Sequence, residues 1–129
     1  MAVLGFTTTS SVLKDQVEAV KAKGIEAFGV SVVDDTEGKH DVIGASNAQL
    51  HLFMQMKRGN VTHMMFQSSE QADIFLDNMV SYYGEEKAGR IISSVKIIAA
   101  GDSAESLRRR NLDVSSQVDS FEAGVSSLV

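Results

Sequence analysis

Short apolar segments recur along the chain, separated by segments in which apolar residues return every three or four positions. The first pattern is typical of strands buried on both faces, and the second of helices that bury one face. Five segments fit the strand pattern, the last of them most weakly: Ala2–Phe6, Ile25–Val33, Val61–Phe66, Val95–Ala100 and Leu112–Val118.

Small polar residues and glycines indicate where the intervening helices begin and end. Gly24 stands where the first helix should terminate, and Gly84 interrupts a later helical pattern. The polar stretch 34–40 is predicted to be a loop. Hydroxyl and carboxylate side chains suited to capping precede the helical segments. The predicted N-caps are Thr9 or Ser10, Ser46, Ser68 or Ser69, and Asp119.

Alternation of strands and helices at this spacing predicts an α/β protein with helices on both faces of a parallel sheet. The length of 129 residues fits one domain. We therefore expect a single three-layer, flavodoxin-like domain over residues 1–129, with five parallel strands in the order 2-1-3-4-5 and right-handed crossovers.

Composition narrows the function classes. The chain has 17 acidic and 12 basic residues, a net charge of −5, which argues against nucleic-acid binding. It has no cysteine, so disulfide and thiolate chemistry are excluded. No apolar run approaches the roughly 18 residues that span a bilayer, and the N-terminal residues lack the basic region of a signal peptide. We expect a cytoplasmic protein that does not associate with membranes.

The chain also has no proline, although average usage of about 5% would predict several. One hypothesis is that the chain is an engineered or trimmed protein. A natural single-domain parent would contradict it.

Polar turns follow the predicted strands at their carboxyl ends, the edge at which open parallel sheets bind ligands. Most of these turns are rich in hydroxyl groups, and each opens a helix, whose N-terminal N–H groups attract carboxylates and phosphates. Thr7, Thr8, Thr9 and Ser10 are therefore candidate anion-binding residues. Helix capping alone is the simpler explanation for any single Ser or Thr at such a position.

Three pieces of the last third of the chain resemble the uroporphyrinogen-III synthase family. Phe66-Gln67-Ser68 is similar to the family's Phe-Thr-Ser turn, with Gln in place of Thr. Residues 100–107, Ala-Gly-Asp-Ser-Ala-Glu-Ser-Leu, are similar to its Gly-x-x-Thr-Ala-x-x-Leu turn, with Ser103 in the threonine position. Residues 121–124, Phe-Glu-Ala-Gly, resemble its closing helix. The resemblance is weaker before Val61, where Thr7-Thr8-Thr9 replaces the family's Thr-Arg-Pro.

The resemblance implies a lyase of porphyrin biosynthesis that closes hydroxymethylbilane, a linear tetrapyrrole, without a metal or cofactor. It implies that Ser68, Ser69 and Ser103 bind the substrate. The family places its substrate between two domains, whereas this chain has room for one. We therefore expect a half-domain with no catalytic residues and no catalysis by itself, which retains binding of a tetrapyrrole or another anion. We expect a monomer or a weak homodimer.

Two other protein classes share the expected fold, the phosphorelay receivers and the flavodoxins. A phosphorelay receiver needs acidic residues and a lysine at strand ends where this chain has Thr7-Thr8, Gln67 and Gln117. A flavodoxin-like protein that binds FMN or phosphate at the turn after strand one remains the alternative, with Tyr82 and Tyr83 as aromatic residues that could stack on a ring.

His40, His51 and His63 are dispersed without metal-ligand spacing, so no metal is expected. The methionines are expected to pack in the core.

Overall fold

The structure is a computed structural model that describes all residues, Met1–Val129. Strands and helices alternate along the chain, as the apolar pattern predicts. The strands are β1 (Val3–Thr9), β2 (Glu26–Asp34), β3 (Asp41–Val42), β4 (His63–Phe66), β5 (Lys96–Ala100) and β6 (Ser116–Val118). The helices are α1 (Leu13–Ala22), α2 (Asn47–Lys57), α3 (Ser69–Tyr83), α4 (Glu85–Ser93), α5 (Ser103–Arg109) and α6 (Phe121–Ser126), with a 3₁₀ turn at Thr36–Gly38.

The six strands form one mixed sheet in the order β3-β2-β1-β4-β5-β6. All neighbouring pairs are parallel except β2 and β3, which pair antiparallel through Val33 with Val42 and Asp34 with Asp41. The α/β class is confirmed, but the expectation of five strands, all parallel, is wrong. The additional strand has only two residues, both exposed, so the sequence contains no buried apolar run that would predict it.

Helices cover both faces of the sheet and enclose two cores of unequal size. A cluster of 21 buried residues lies under α2, α3, α4 and α5, and a cluster of nine lies under α1 and α6. Successive strand residues alternate between them, so Met64 belongs to the larger cluster and Met65 to the smaller. The methionines pack as predicted, apart from the terminal Met1 and from Met54, which is 40% exposed.

Capping serines start three helices. Ser46 Oγ accepts a hydrogen bond from Gln49 N, Ser68 Oγ accepts one from Gln71 N, and Ser120 Oγ accepts one from Ala123 N. Ser46 and Ser68 were predicted caps, whereas the cap of the last helix is Ser120 rather than Asp119. Each capping side chain satisfies an N–H group that the helix itself leaves without a partner.

The start of α1 differs from the prediction. β1 continues through Thr9, so the residues expected to form a turn are largely strand. Neither Thr9 nor Ser10 caps the helix, whose N-cap position is occupied by Val12 without a side-chain hydrogen bond. The strand extends because the hydroxyl groups of its last residues find partners, as described below. None of the helices combines the length and the hydrophobicity that crossing a membrane requires.

Candidate functional site

The carboxyl ends of β1 and β4 lie side by side at the point where the connections diverge. The chain leaves β1 toward β2 on one side, and leaves β4 toward β5 on the other. In an open α/β sheet this divergence leaves a crevice at which ligands bind. The candidate site is therefore the carboxyl edge around these two strands, together with the turns that follow β2, β5 and β6.

Two threonines predicted to bind anions lie inside β1 and are buried, Thr7 with 0% and Thr8 with 1% of its surface exposed. Thr7 Oγ1 donates a hydrogen bond to Gln71 Oε1 at 2.9 Å, and Thr8 Oγ1 donates one to Gln16 Oε1 at 2.6 Å. These hydroxyl groups are committed to the protein's own amides, so they hold the strand in place and do not face a ligand.

Thr9 and Ser10 are more accessible, but Ser10 is also engaged. Both are partly exposed. Ser10 Oγ lies 2.7 Å from Ser31 Oγ, and the next residue, Ser11, binds a carboxylate of the following loop. The four residues Thr7–Ser10 do not form the open, glycine-containing loop that a phosphate group usually requires.

A pair of glutamines bridges the crevice between β1 and β4. Gln67 Nε2 donates to Gln16 Oε1 at 2.8 Å, and Gln16 Nε2 donates to Gln67 Oε1 at 3.3 Å. Gln67 Nε2 also donates to the main-chain oxygen of Thr7 at 2.8 Å. The two amides therefore satisfy each other across the position at which a ligand would enter.

The turn after β4 and the turn after β5 are bound to each other. Ser69 N donates to Asp102 Oδ1 at 2.9 Å, and Ser69 Oγ donates to the main-chain oxygen of Asp102 at 2.8 Å. A carboxylate from the chain itself thus binds a main-chain N–H at the start of α3, while Ser68 caps the same helix. The start of α3 accepts a carboxylate, and Asp102 supplies it.

Ser103, the third predicted binding residue, is fully buried at the start of α5. Its hydroxyl group has two main-chain acceptors, Phe66 O at 3.0 Å and Ala100 O at 2.8 Å. The structure therefore brings Ser68, Ser69 and Ser103 to one edge of the sheet. Only the two residues at the start of α3 are partly exposed there, and Ser103 joins the ends of β4 and β5.

A second internal carboxylate binds at the turn after β1. Asp35 Oδ1 accepts a hydrogen bond from Ser11 N at 2.8 Å, and Asp35 Oδ2 accepts one from Ser11 Oγ at 2.7 Å. These hydrogen bonds hold the pKa of Asp35 below its usual value, because they stabilise the charged form. Two turns of the carboxyl edge thus each hold an aspartate of this chain.

An open depression of about 540 Å³ adjoins the turn after β5. Arg108 and Arg109 line it, and neither forms an ion pair, although Arg108 Nη2 donates to Gln117 Oε1 at 3.0 Å. The remaining lining residues are Gly101, Asp102, Ala104, Glu105 and Gln117. Two guanidinium groups that form no ion pair therefore line the same depression as Asp102 and Glu105. The third arginine of the run, Arg110, binds Asp73 and Asp77 of α3 instead.

The histidines do not gather at this edge. Only His40 is near it, with Nε2 2.8 Å from Glu70 Oε2 in the first turn of α3. His51 packs beside Phe28, and His63 begins β4 at the opposite edge. No group of three or more potential metal ligands is present.

The two tyrosines considered for stacking on a flavin lie at the far end of α3. The Tyr83 ring packs 6.2 Å from that of Phe53, and Tyr82 is 57% exposed beside it. Because α3 begins at the carboxyl edge and ends away from it, neither ring can cover a ligand in the crevice.

Sequence reasoning placed Asp35, Gln67 and Asp102 in the turns of this edge but did not predict their contacts, and it assigned no role there to Gln16 and Gln71. The one sequence signal for Asp102 is its position directly before Ser103, a candidate binding residue. Comparison of the chain with protein-family models, with curated proteins and with solved structures finds no match.

Proposed function

We propose that this chain is a single half-domain of the uroporphyrinogen-III synthase type, flavodoxin-like in the order of its parallel strands. It binds a carboxylated tetrapyrrole at the carboxyl edge of the sheet and does not close the ring by itself. The observation that carries the proposal is the contact between Ser69 and Asp102. It joins the two turns on which the family resemblance rests and places a carboxylate on a main-chain N–H group.

The chemistry of the edge supports a ligand with carboxylates. A carboxylate at a helix N-terminus gains from the unpaired N–H groups and from the helix dipole. The guanidinium groups of Arg108 and Arg109, beside Asp102, suit the same functional group because they donate paired hydrogen bonds to it. An incoming carboxylate would replace that of Asp102 on Ser69 N and reach these arginines.

Ring closure by this chain alone is not expected, because one domain provides one wall of a cleft. Positioning of reacting groups can supply roughly 7–11 kcal/mol of a barrier, and a substrate held on one side loses much of it. We expect ligand binding without ring closure of hydroxymethylbilane.

The test is a titration of ¹⁵N-labelled protein with uroporphyrin, a stable tetrapyrrole with eight carboxylates. We expect chemical-shift changes that saturate at Ser69, Gly101 and Asp102 and at the side chain of Arg108. Asp102→Ala should bind more tightly, by about fivefold, because it removes an internal competitor and a negative charge worth about 1 kcal/mol in water.

Asp113→Ala is the matched control, since Asp113 is exposed in the loop before β6 and the substitution changes the net charge equally. Its affinity should change far less than that of Asp102→Ala. The proposal fails if uroporphyrin moves no resonance at the carboxyl edge, or if both variants gain affinity to the same extent.

A further inference from the structure

Three cationic side chains cluster at the edge of the sheet opposite to the candidate site. Lys57 lies in the last turn of α2, and Lys87 and Arg90 lie on α4. With Ile91 and Ser94 they line an open depression of about 290 Å³. The cluster is separate from the turns that follow the strands at the carboxyl edge and shares no residue with them.

Negative charge is scarce in this cluster. Arg90 Nη1 forms an ion pair with Glu86 Oε1 at 2.8 Å, but no carboxylate lies within ion-pair distance of Lys57 or Lys87. Interaction with the neighbouring Lys57 side chain and its positive charge, followed by partial burial and by Arg90, lowers the pKa of Lys87.

An aromatic ring holds the two lysines together. Lys87 Nζ lies 4.9 Å and Lys57 Nζ 5.8 Å from the centroid of Tyr83, distances at which an ammonium group is attracted to the ring. Tyr83 is itself fixed, because its ring packs against the fully buried Phe53. The two lysine ammonium groups therefore lie near one ring that packs against the core.

We propose that Lys57, Lys87 and Arg90 form a binding site for a phosphate group, carried as inorganic phosphate or as a phosphate monoester. A phosphate dianion offers three or more acceptor oxygens and two charges, which matches two ammonium groups and one guanidinium group around a small depression. A single carboxylate would leave positive charge uncompensated. Bound phosphate would offset the repulsion between the two lysines.

The experiment follows the lysine and arginine side-chain resonances of the whole chain by NMR, at constant ionic strength, as inorganic phosphate replaces chloride. We expect saturable shifts confined to Lys57, Lys87 and Arg90. Lys87→Gln should weaken phosphate binding by about tenfold, since it removes one charge-assisted hydrogen bond, and Lys57→Gln should act similarly.

Lys14→Gln is the matched control, because Lys14 is exposed on α1, on the other face of the sheet, and the substitution changes the charge equally. It should leave the phosphate affinity unchanged. The amide spectrum of each variant reports whether it is folded. A second titration with glycerol 2-phosphate distinguishes the source of the group: binding of both ligands, or of the monoester alone, supports the site.

Three results would overturn the proposal. One is an absence of saturable shifts with either phosphate ligand. Another is an equal response to chloride at matched ionic strength. The third is an unchanged affinity in both Lys57→Gln and Lys87→Gln.

Discussion

At the scale of single residues, the two histidines nearest the sheet ends have opposite environments. A hydrogen bond and the negative charge of Glu70 raise the pKa of His40. Burial, followed by the positive charge of Lys96, lowers the pKa of His63. The His63 ring is half-buried within the sheet, with Nδ1 2.7 Å from Thr62 Oγ1. Near neutral pH, His40 at the carboxyl edge is therefore protonated more readily than His63 at the opposite edge.

Glu70→Gln should return the pKa of His40 toward its usual value of about 6.5. Because the folded-state pKa of His40 is raised, the pair stabilises the protein fully below about pH 6.5, and this contribution disappears as the pH rises through the raised pKa. Histidine ring resonances measured by NMR against pH report the change. Glu18→Gln, on an exposed position of α1, is the control. An unshifted His40 titration in Glu70→Gln would contradict the assignment.

Gln49 is polar but fully buried, and the pattern of apolar residues in the sequence does not predict its burial. Its Nε2 donates to Ser31 O at 3.2 Å and to Gly44 O at 3.1 Å, and its Oε1 accepts from Asn78 Nδ2 at 2.8 Å. One amide thereby fixes the loop before α2 to β2 and α3. Every buried side-chain polar atom of the protein has a partner.

Gln49→Ala should lower the free energy of unfolding by about 2–4 kcal/mol, because it leaves several buried polar groups without partners. Urea unfolding measures the loss. Gln55→Ala, on the same helix, removes only an exposed hydrogen bond with Asn60 and should cost about 0.5 kcal/mol or less. Equal losses in the two variants would show that the network adds little.

At the scale of elements, Gly101 sets the distance between the turns after β4 and β5. Its backbone has φ of +59°, and a Cβ atom there would lie 2.7 Å from the main-chain oxygen of Gln67. The contact between Ser69 and Asp102 depends on this close approach. Any side chain at the glycine would push the two turns apart.

Gly101→Ala should cost about 3 kcal/mol or more, from backbone strain and from the clash with a main-chain atom. Gly24→Ala is matched to it, since Gly24 also has a positive φ, +78°, but has open space around it. Strain alone should cost about 1–2 kcal/mol there. Thermal unfolding of the two variants isolates the cost of the close approach, and equal costs would refute it.

The elements that the sequence predicts are those defined by local pattern. β4 and α3, for example, follow from an apolar run, a capping serine and a glycine at the helix end. The extension of β1 through Thr7 and Thr8 could not be predicted, because buried hydroxyl groups are tolerated only with partners, and Gln71 lies 64 positions away. β3 was not predicted, because its two residues are exposed and form no apolar pattern.

The position of the candidate site could be predicted from the sequence, but the burial and the contacts of its residues could not. Because Ser68, Ser69 and Ser103 follow adjacent parallel strands, their position at one edge follows from topology. That Ser103 is buried, and that Asp102 and Asp35 already bind the turns, depends on contacts between distant segments. Local sequence carries little trace of such contacts.

At the scale of the whole molecule, the edge strands of the sheet are short and the exposed apolar residues are scattered. The sheet ends in strands of two and three residues, and short edge strands disfavour pairing with another chain. The large exposed apolar residues lie on different elements and not along one helix face: Val12, Val42, Met54 and Tyr82, apart from the two termini. A monomer or weak homodimer stays the prediction, as does binding of a tetrapyrrole.

The unequal cores have a consequence for how the molecule opens. α6 is six residues long and contributes only Phe121 and Val125 to the nine-residue cluster, with the Phe121 ring 5.1 Å from that of Phe6. Its release breaks few contacts, so deuterium should replace the amide protons of α6 by local fraying, long before those of β4 exchange. When α6 detaches transiently, Met65, which lies on the sheet beneath Gly124, becomes exposed to solvent. Limited proteolysis should accordingly cut first near residue 120 and leave the cluster of 21 buried residues and its helices intact.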